Sequence, residues 1–281
     1  MIMQSMKKIC ALTMVRNDDF FLRKWVEYYG KEFGMENIYI YLDGKDQPIP
    51  DWCPGVSVTP CDKLPGKVVE LEKRRLRFLS ERAAELFERY DIVIGTDADE
   101  FLIVDPSLGM GLAEFLSSVK SSNSSMSGLG VDVGQNTGCE GVIDPSRPFL
   151  TQRRYALLSS RYTKPSVMLR PVRWGSGFHR IKGHDFHITE NLYLFHFGSF
   201  DLKRIKDRMA DKQRVSSGRH LAKRTRTITK VSRKKACDWN RWTVIARRMQ
   251  AVFRPLYAVN KPSMAGLDIV VRIPERFSDK V

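Results

Sequence analysis

The chain has 281 residues, 42% of them apolar, with a formal net charge of +15 and five cysteines. That length fits one large α/β domain, or one domain with an appendage, and excludes a minimal module; no apolar run reaches the 18 or so residues that a spanning helix needs. The cysteines, Cys10, Cys53, Cys61, Cys139 and Cys237, are odd in number and form no C-x-x-C pair, which excludes a zinc knuckle or a disulfide framework and fits a reducing cytoplasm.

The opening stretch MIMQSMKKICALTMV places lysines before a short apolar segment, the outline of a signal peptide. Val15 runs straight into Arg16-Asn17-Asp18-Asp19 without a small-residue cleavage site, so residues 7–15 are read as a first buried strand. Residues 19–33 carry Phe20, Phe21, Trp25, Tyr28, Tyr29 and Phe33 at helical spacing, with Asp18 or Asp19 as cap and Gly34 as stop. NIYIYLD is a second strand closed by Asp43-Gly44, VSVTPC a short third strand, and residues 67–90 a long charged helix. The apolar run Ile92-Val93-Ile94 is a fourth strand, and FLIVDP after it is a new short element. Near-continuous apolar strands alternating with helices predict an α/β fold, a mostly parallel sheet covered by helices on both faces.

Ligands in such sheets sit at the carboxyl ends of the strands. Strand one ends in Arg16-Asn17, strand two in Asp43, and strand four in Asp97-Ala98-Asp99-Glu100. The three carboxylates therefore lie where the fourth strand stops. Asp-x-Asp lets two carboxylates reach one ion, and hard divalent cations such as Mn2+ or Mg2+ favour oxygen ligands while leaving positions for phosphates. A surface acidic turn is the plainer reading of a lone Asp-x-Asp. Here the cluster is bracketed by two apolar runs, and buried charge needs a counter-charge.

After residue 116 the chain changes character. SSVKSSNSSMSG, residues 117–128, holds seven serines and reads as a flexible or poorly packed loop. It divides a nucleotide-side half, about 7–116, from an acceptor-side half, about 129–202, which contains His179, His184, His187 and His196. From Lys203 to Arg254 there are 18 Lys and Arg against Asp207, Asp211 and Asp238, which accounts for the whole net charge of +15. Residues 203–281 thus read as a basic, helical C-terminal extension on an electrostatically ordinary domain of residues 1–202. Trp239, Trp242, Ile245, Met249 and Val252-Phe253 alternate there with arginines, a mixture that suits an anionic membrane surface, nucleic acid or an acidic acceptor. A charged helix packed on the main domain through its tryptophans is the competing reading.

The segments "ALTMVRNDDFFLRKWVEYYGKEFGMENIYIYLDG" and "YDIVIGTDADEFL" resemble the family 2-like glycosyltransferases of the GT-A fold. The closer likeness is to a bacterial subgroup with V-R-N-x-x-x-F-L-x-x-W and D-x-D-E-F motifs. The resemblance covers residues 8–105 well and 160–210 thinly, through "KPSVMLRP", "GFHR" and "LYLFHFGS". It implies a metal-dependent transfer of a sugar from a sugar nucleotide to a hydroxyl of a glycan or lipid-linked acceptor. Thr13, Arg16 and Asn17 would sit by the nucleotide, and Asp43 by its base or ribose. Asp97 would meet the ribose and, with Asp99 and His196, hold Mn2+ or Mg2+; a satisfied core histidine is the competing reading of His196. His179 and Glu100 would contact phosphate or acceptor, with a structural place for His179 and a turn cap for Glu100 as alternatives. An inverting enzyme needs a carboxylate base, for which Asp185 stands first and Asp132 and Glu190 behind it. The setting would be cytoplasmic, peripheral on a membrane if residues 203–254 dock there. The other class of function is a nucleic-acid-binding protein using the same basic block; the neutral remainder of the chain makes it the weaker. Neither a G-x-x-x-x-G-K-[ST] loop nor a G-x-S-x-G elbow is present, which excludes P-loop and α/β-hydrolase chemistry.

Overall fold

Strand β1 (Ile9–Val15) lies at the centre of a parallel unit, between β2 (Ile38–Asp43) and β4 (Ile92–Gly95), with β3 (Ser57–Cys61) beyond β2. The computed structural model describes residues 6–63, 66–210 and 218–281. Successive side chains of a strand point to opposite faces, and both faces here are covered. Ile9, Ala11, Ile38, Ile40, Ile92 and Ile94 belong to the core that contains Phe21, Leu22, Trp25 and Tyr29 of helix α1 (Asp19–Phe33). Cys10, Leu12, Tyr41 and Val93 belong to the core that contains Leu76, Leu79, Ala83 and Leu86 of α2 (Val68–Leu86). This is why the strands read as unbroken apolar runs. The long charged helix stops at Leu86, short of the expected residue 90.

The second half departs from the expected mostly parallel sheet. After β5 (Glu100–Val104) and α3 (Leu112–Ser118) comes β6 (Ser125–Gly134), then α4 (Phe149–Gln152), β7 (Tyr155–Leu158), β8 (Val167–Met168) and β9 (Ile188–Ser199). Of the pairs these strands make, β6 with β9 is parallel, while β4 with β8, β8 with β6, β6 with β7 and β5 with β9 are antiparallel. The serine-rich stretch is no loose linker at its end. Residues 125–128 form the start of β6, and Ser125 and Ser127 are buried. Small side chains are needed there, because β6 is enclosed by β8 and β9, and a Cβ on Gly128 would collide with the backbone of Tyr193 and Leu194.

Helices α5 (Leu202–Ala210), α6 (Gly218–Arg233) and α7 (Trp239–Val252) follow, then β10 (Ile269–Arg272). Residues 211–217 of the basic block lie outside the described residues. The described remainder contains α5, α6 and α7 and is built into the body of the protein. β10 extends the sheet by pairing antiparallel with β7. Trp239 is 2% exposed and packs against Tyr193, Phe195 and Phe277, and Trp242 is half-buried against the same core. Trp239 is thus spent on the protein's own core, and Trp242 is partly so. Among the described residues no helix is long and apolar enough to cross a membrane.

Candidate active site

The acidic turn after β4 is held by α1. Trp25 donates its indole N–H to the Thr96 hydroxyl (2.8 Å), and the Thr13 hydroxyl donates to the Thr96 carbonyl (2.8 Å). Tyr29 accepts the Leu102 amide (2.9 Å) and Tyr28 donates to the Leu102 carbonyl (2.5 Å). Backbone polar groups at a buried strand end need partners, and the aromatic helix supplies them through polar tips on apolar bodies. Within the turn the Glu100 amide donates to the Asp97 carbonyl (3.0 Å), and the Asp97 amide donates back to the Glu100 carboxylate (3.4 Å). Glu100 thus caps the turn.

Three strands then bring the chemistry together. β5 pairs with β9 and β9 with β6, in a register that sets Glu100 opposite His196 and His196 opposite Asp132. Ligand-capable atoms of Asp99, Glu100 and His196 lie within 4.8 Å of one another, and all three residues are buried. The Asp99 carboxylate is 3.7 Å from His196 Nε2 and 3.6 Å from the Arg224 guanidinium. His196 Nδ1 meets the Asp132 carboxylate at 2.7 Å, so Asp132 fixes the ring with Nε2 facing Asp99. The Thr227 hydroxyl on α6 donates to the other Asp132 oxygen at 2.8 Å, and Tyr162 stacks on the imidazole at 3.7 Å. Gly198 leaves room for that ring, since a Cβ there would strike its Cε1 and Nε2.

Asp97 faces elsewhere. One oxygen accepts from Arg75 of α2 (3.0 Å) and the other from Lys164 (2.9 Å). Lys164, 3% exposed in its side chain, also pairs with Glu100 at 2.5 Å. Burial pushes the Asp97 carboxyl up, but Lys164 and Arg75 outweigh it and hold the group well below the ordinary carboxylate range. In Glu100 burial wins: it raises the carboxyl to about 7, opposed by Lys164 and reinforced by Asp97. Lys164 itself is disfavoured by burial, yet Asp97 and Glu100 hold its ammonium charged.

The turn opens on a cavity of about 510 Å³, lined by Arg16, Asp18, Glu72, Arg75, Asp97, Asp99, Glu100, Arg161, Tyr162, Lys164, His179, His196, Lys223 and Arg224 among others. The structure thus gathers Arg16, Asp97, Asp99, Glu100, His179 and His196 of the expected residues. It places the others differently. Thr13 is fully buried beneath the turn, so it braces the strand end. Asn17 is in the left-handed region at φ 48°, which Asn tolerates, and donates its amide to Gln47 (2.6 Å) at the close of β1; it is not among the cavity's lining residues. Arg16 binds Asp46 through two contacts of 2.9 and 2.7 Å and donates to the Asp43 carbonyl at 2.6 Å. The half-buried Asp43 ends β2 without lining the cavity. His179 borders the cavity with Nδ1 buried and unpartnered; burial, then Lys164, Arg161 and Lys261, hold it well below its ordinary pKa.

None of the three candidate bases lines this cavity. Asp185 is 72% exposed and lies 3.7 Å from Arg254, and Glu190 is 62% exposed and pairs with Arg247 at 2.8 Å. Asp132 is committed to His196 and Thr227. Lys164 lies within KPSVMLRP, where no local pattern gives it a role, and none singles out Arg75, Tyr162, Arg161 or Arg224. The available signal for Lys164 was a lone cation in the otherwise apolar or small stretch 163–168, all of it buried.

No protein-family model and no curated protein matches this sequence. Among solved structures, similarity is found to a glycosyltransferase involved in the glycosylation of the major capsid of PBCV-1. The two are 16% identical with a TM-score of 0.24, over 43% of this chain and 50% of that one, so the chain spans half the length of that relative. Similarity is also found to the mannosyltransferase PcManGT from Pyrobaculum calidifontis in complex with GDP-Man and Mn2+, at 8% identity and a TM-score of 0.37, over 86% of this chain and 73% of that one. Likenesses this distant transfer no residue roles.

Proposed function

We propose that this protein is a metal-dependent glycosyltransferase that moves a sugar from a nucleoside-diphosphate sugar to a hydroxyl of an acceptor. The observation that carries the reading is the convergence of Asp99, Glu100 and His196 at the end of a parallel strand, in a cavity whose walls also carry cations. Two carboxylates and an imidazole fit a divalent cation of the Mn2+ or Mg2+ class, the imidazole leaning toward Mn2+. Such an ion, when bound, neutralises charge developing on a leaving diphosphate.

The chain's own residues do the rest. Asp132 holds His196 in one orientation, so the ligand set need not reorganise. Arg161, Lys223 and Arg224 line the cavity as counter-charges for phosphate oxygens. Asp97, kept ionised by Lys164 and Arg75, retains lone pairs to accept donor hydroxyls. The nucleoside would extend toward Arg16 and Asp43 at the ends of β1 and β2. The V-R-N and D-x-D-E-F resemblance supports the same reading.

Titration calorimetry of UDP and GDP with Mn2+ or with EDTA tests it, alongside a screen of sugar nucleotides for diphosphate release. At least one nucleotide is expected to bind only with the metal, and Asp99→Asn to weaken that binding by about 100-fold or more. Nucleotide affinity that is the same in EDTA, or unchanged in Asp99→Asn, overturns the reading.

A further inference from the structure

We propose that the loop from Val252 to Val259, with the basic cavity it borders, docks the protein on an anionic lipid surface. Thirteen large hydrophobic side chains are exposed among the described residues, and five of them fall in this one segment: Val252 at 74%, Phe253 at 46%, Leu256 at 109%, Tyr257 at 81% and Val259 at 83%. Such a concentration marks an interaction surface. The segment is a built loop. The Ser263 amide donates to the Phe253 carbonyl (3.0 Å), and the Ala258 amide to the Pro255 carbonyl (3.1 Å). The Arg254 guanidinium holds the carbonyls of Val259 (2.9 Å) and Ala251 (3.0 Å). Leu256, Tyr257 and Val259 are thereby presented outward on a fastened turn.

Behind the loop lies a second cavity of about 430 Å³, lined by Tyr257 and Lys261 from the loop side and by Arg161, Lys223 and Arg226 opposite. Lys230, also on its wall, is paired with Asp268 at 2.7 Å. No carboxylate among the described residues lies within ion-pair reach of Arg161, Lys223, Arg226 or Lys261. Burial, Arg180 and Arg161 push the Lys261 ammonium below its ordinary pKa, so an anion entering the cavity would relieve a repulsion. Fully exposed aliphatic tips beside unmatched cations suit a layer that offers both hydrocarbon and negative charge. Nucleic acid would engage the cations and leave Leu256 and Val259 in water.

Arg161, Tyr162, His179, Lys223 and Arg224 line both cavities. An acceptor carrying its anionic group on a lipid would therefore reach the metal-binding turn from the docked face; this last step rests on the function proposed above, whereas the docking does not.

Flotation tests the docking, with the whole protein, in EDTA and without any nucleotide, so that failure of the transferase reading leaves the result intact. Phosphatidylcholine vesicles containing phosphatidylglycerol are compared with pure phosphatidylcholine. The protein is expected to float with the anionic vesicles and not with the neutral ones. Leu256→Ser with Val259→Ser should lower the partition roughly tenfold or more, and Arg226→Glu with Lys261→Glu should lower it while making the residue salt-insensitive. All four positions are surface or cavity-wall sites, and an unchanged melting temperature confirms that the variants fold. Equal recovery on both vesicle types, no recovery on either, or serine variants that float like the parent overturn the proposal. Retention of a single-stranded RNA at the same salt without vesicle binding overturns it in favour of nucleic acid.

Discussion

Replacing Lys164 with Met keeps the apolar stem and removes the ammonium that lies 2.9 Å from Asp97 and 2.5 Å from Glu100. Asp97 is 30% exposed and keeps Arg75, but Glu100 is 1% exposed and loses its close cation. Stranding one member of a buried pair costs about 3–5 kcal/mol. For a chain of this size that corresponds to a melting temperature lower by roughly 6–20 °C. The pH dependence gives the mechanism away. Burial already raises Glu100 to about 7 with Lys164 opposing it, and without Lys164 it rises further. An acid raised above its unfolded pKa contributes stability below that unfolded value and loses it as pH rises through the folded one. Below about pH 7 both proteins hold a protonated Glu100 and their gap is constant; above it the gap should widen by up to about 1.4 kcal/mol per pH unit. Calorimetric melts from pH 6 to 9 in EDTA measure this. Glu100→Gln in the Lys164→Met background should recover more than about 1 kcal/mol at pH 9. A variant that melts with the parent, or a gap that narrows toward alkaline pH, refutes the account.

Other consequences follow from the same contacts. Asp132→Asn removes the charge that orients His196 and should weaken Mn2+ binding by about 10–100-fold, measured by calorimetry, while a parent-like affinity would make Asp132 a packing residue only. Trp239→Ala empties a site between Tyr193, Phe195 and Phe277 and should cost about 3–5 kcal/mol in urea unfolding; a loss below about 1 kcal/mol would return residues after 202 to the status of an appendage.

The first hundred residues are legible because β1, β2 and β4 are buried on both faces, so apolar runs, helical spacing and polar strand ends all point one way. The placement of Asp97-Ala98-Asp99 at a strand end needed nothing long-range. The second half depends on register between distant strands. That Asp132 stands beside His196, and His196 beside Glu100, is fixed by pairings of β6, β9 and β5, which no local pattern encodes. Ser125 and Ser127 carry loop-like composition into a buried strand because neighbouring strands leave room for little else. The tryptophans after Asp238 were ambiguous for a physical reason: an apolar stripe flanked by arginines has the same pattern whether it meets lipid or its own domain. Asp185, in "GHDF", had nothing local to mark it as solvent-facing.

The two aspartates of the acidic turn end up on different partners, and that separation bears on the chemistry. Had the turn continued as a strand, Asp97 and Asp99 would share a face. Instead the chain turns back so that the Glu100 amide reaches the Asp97 carbonyl, and the carboxylates part. Asp97 is drawn to Arg75 and Lys164, Asp99 toward His196 and Arg224, and Glu100 stands between them with Lys164 on one side and His196 on the other. Lys164 therefore already occupies one end of a group that a cation would use from the other. Two positive charges flanking one buried carboxylate would repel, yet each would also neutralise a carboxylate of its own, Asp97 for Lys164 and Asp99 for such an ion. Five charged groups of alternating sign, Asp97, Lys164, Glu100, such an ion and Asp99, would make the burial tolerable in a way that a bare pair of aspartates would not, and so would let three carboxylates sit between two apolar runs.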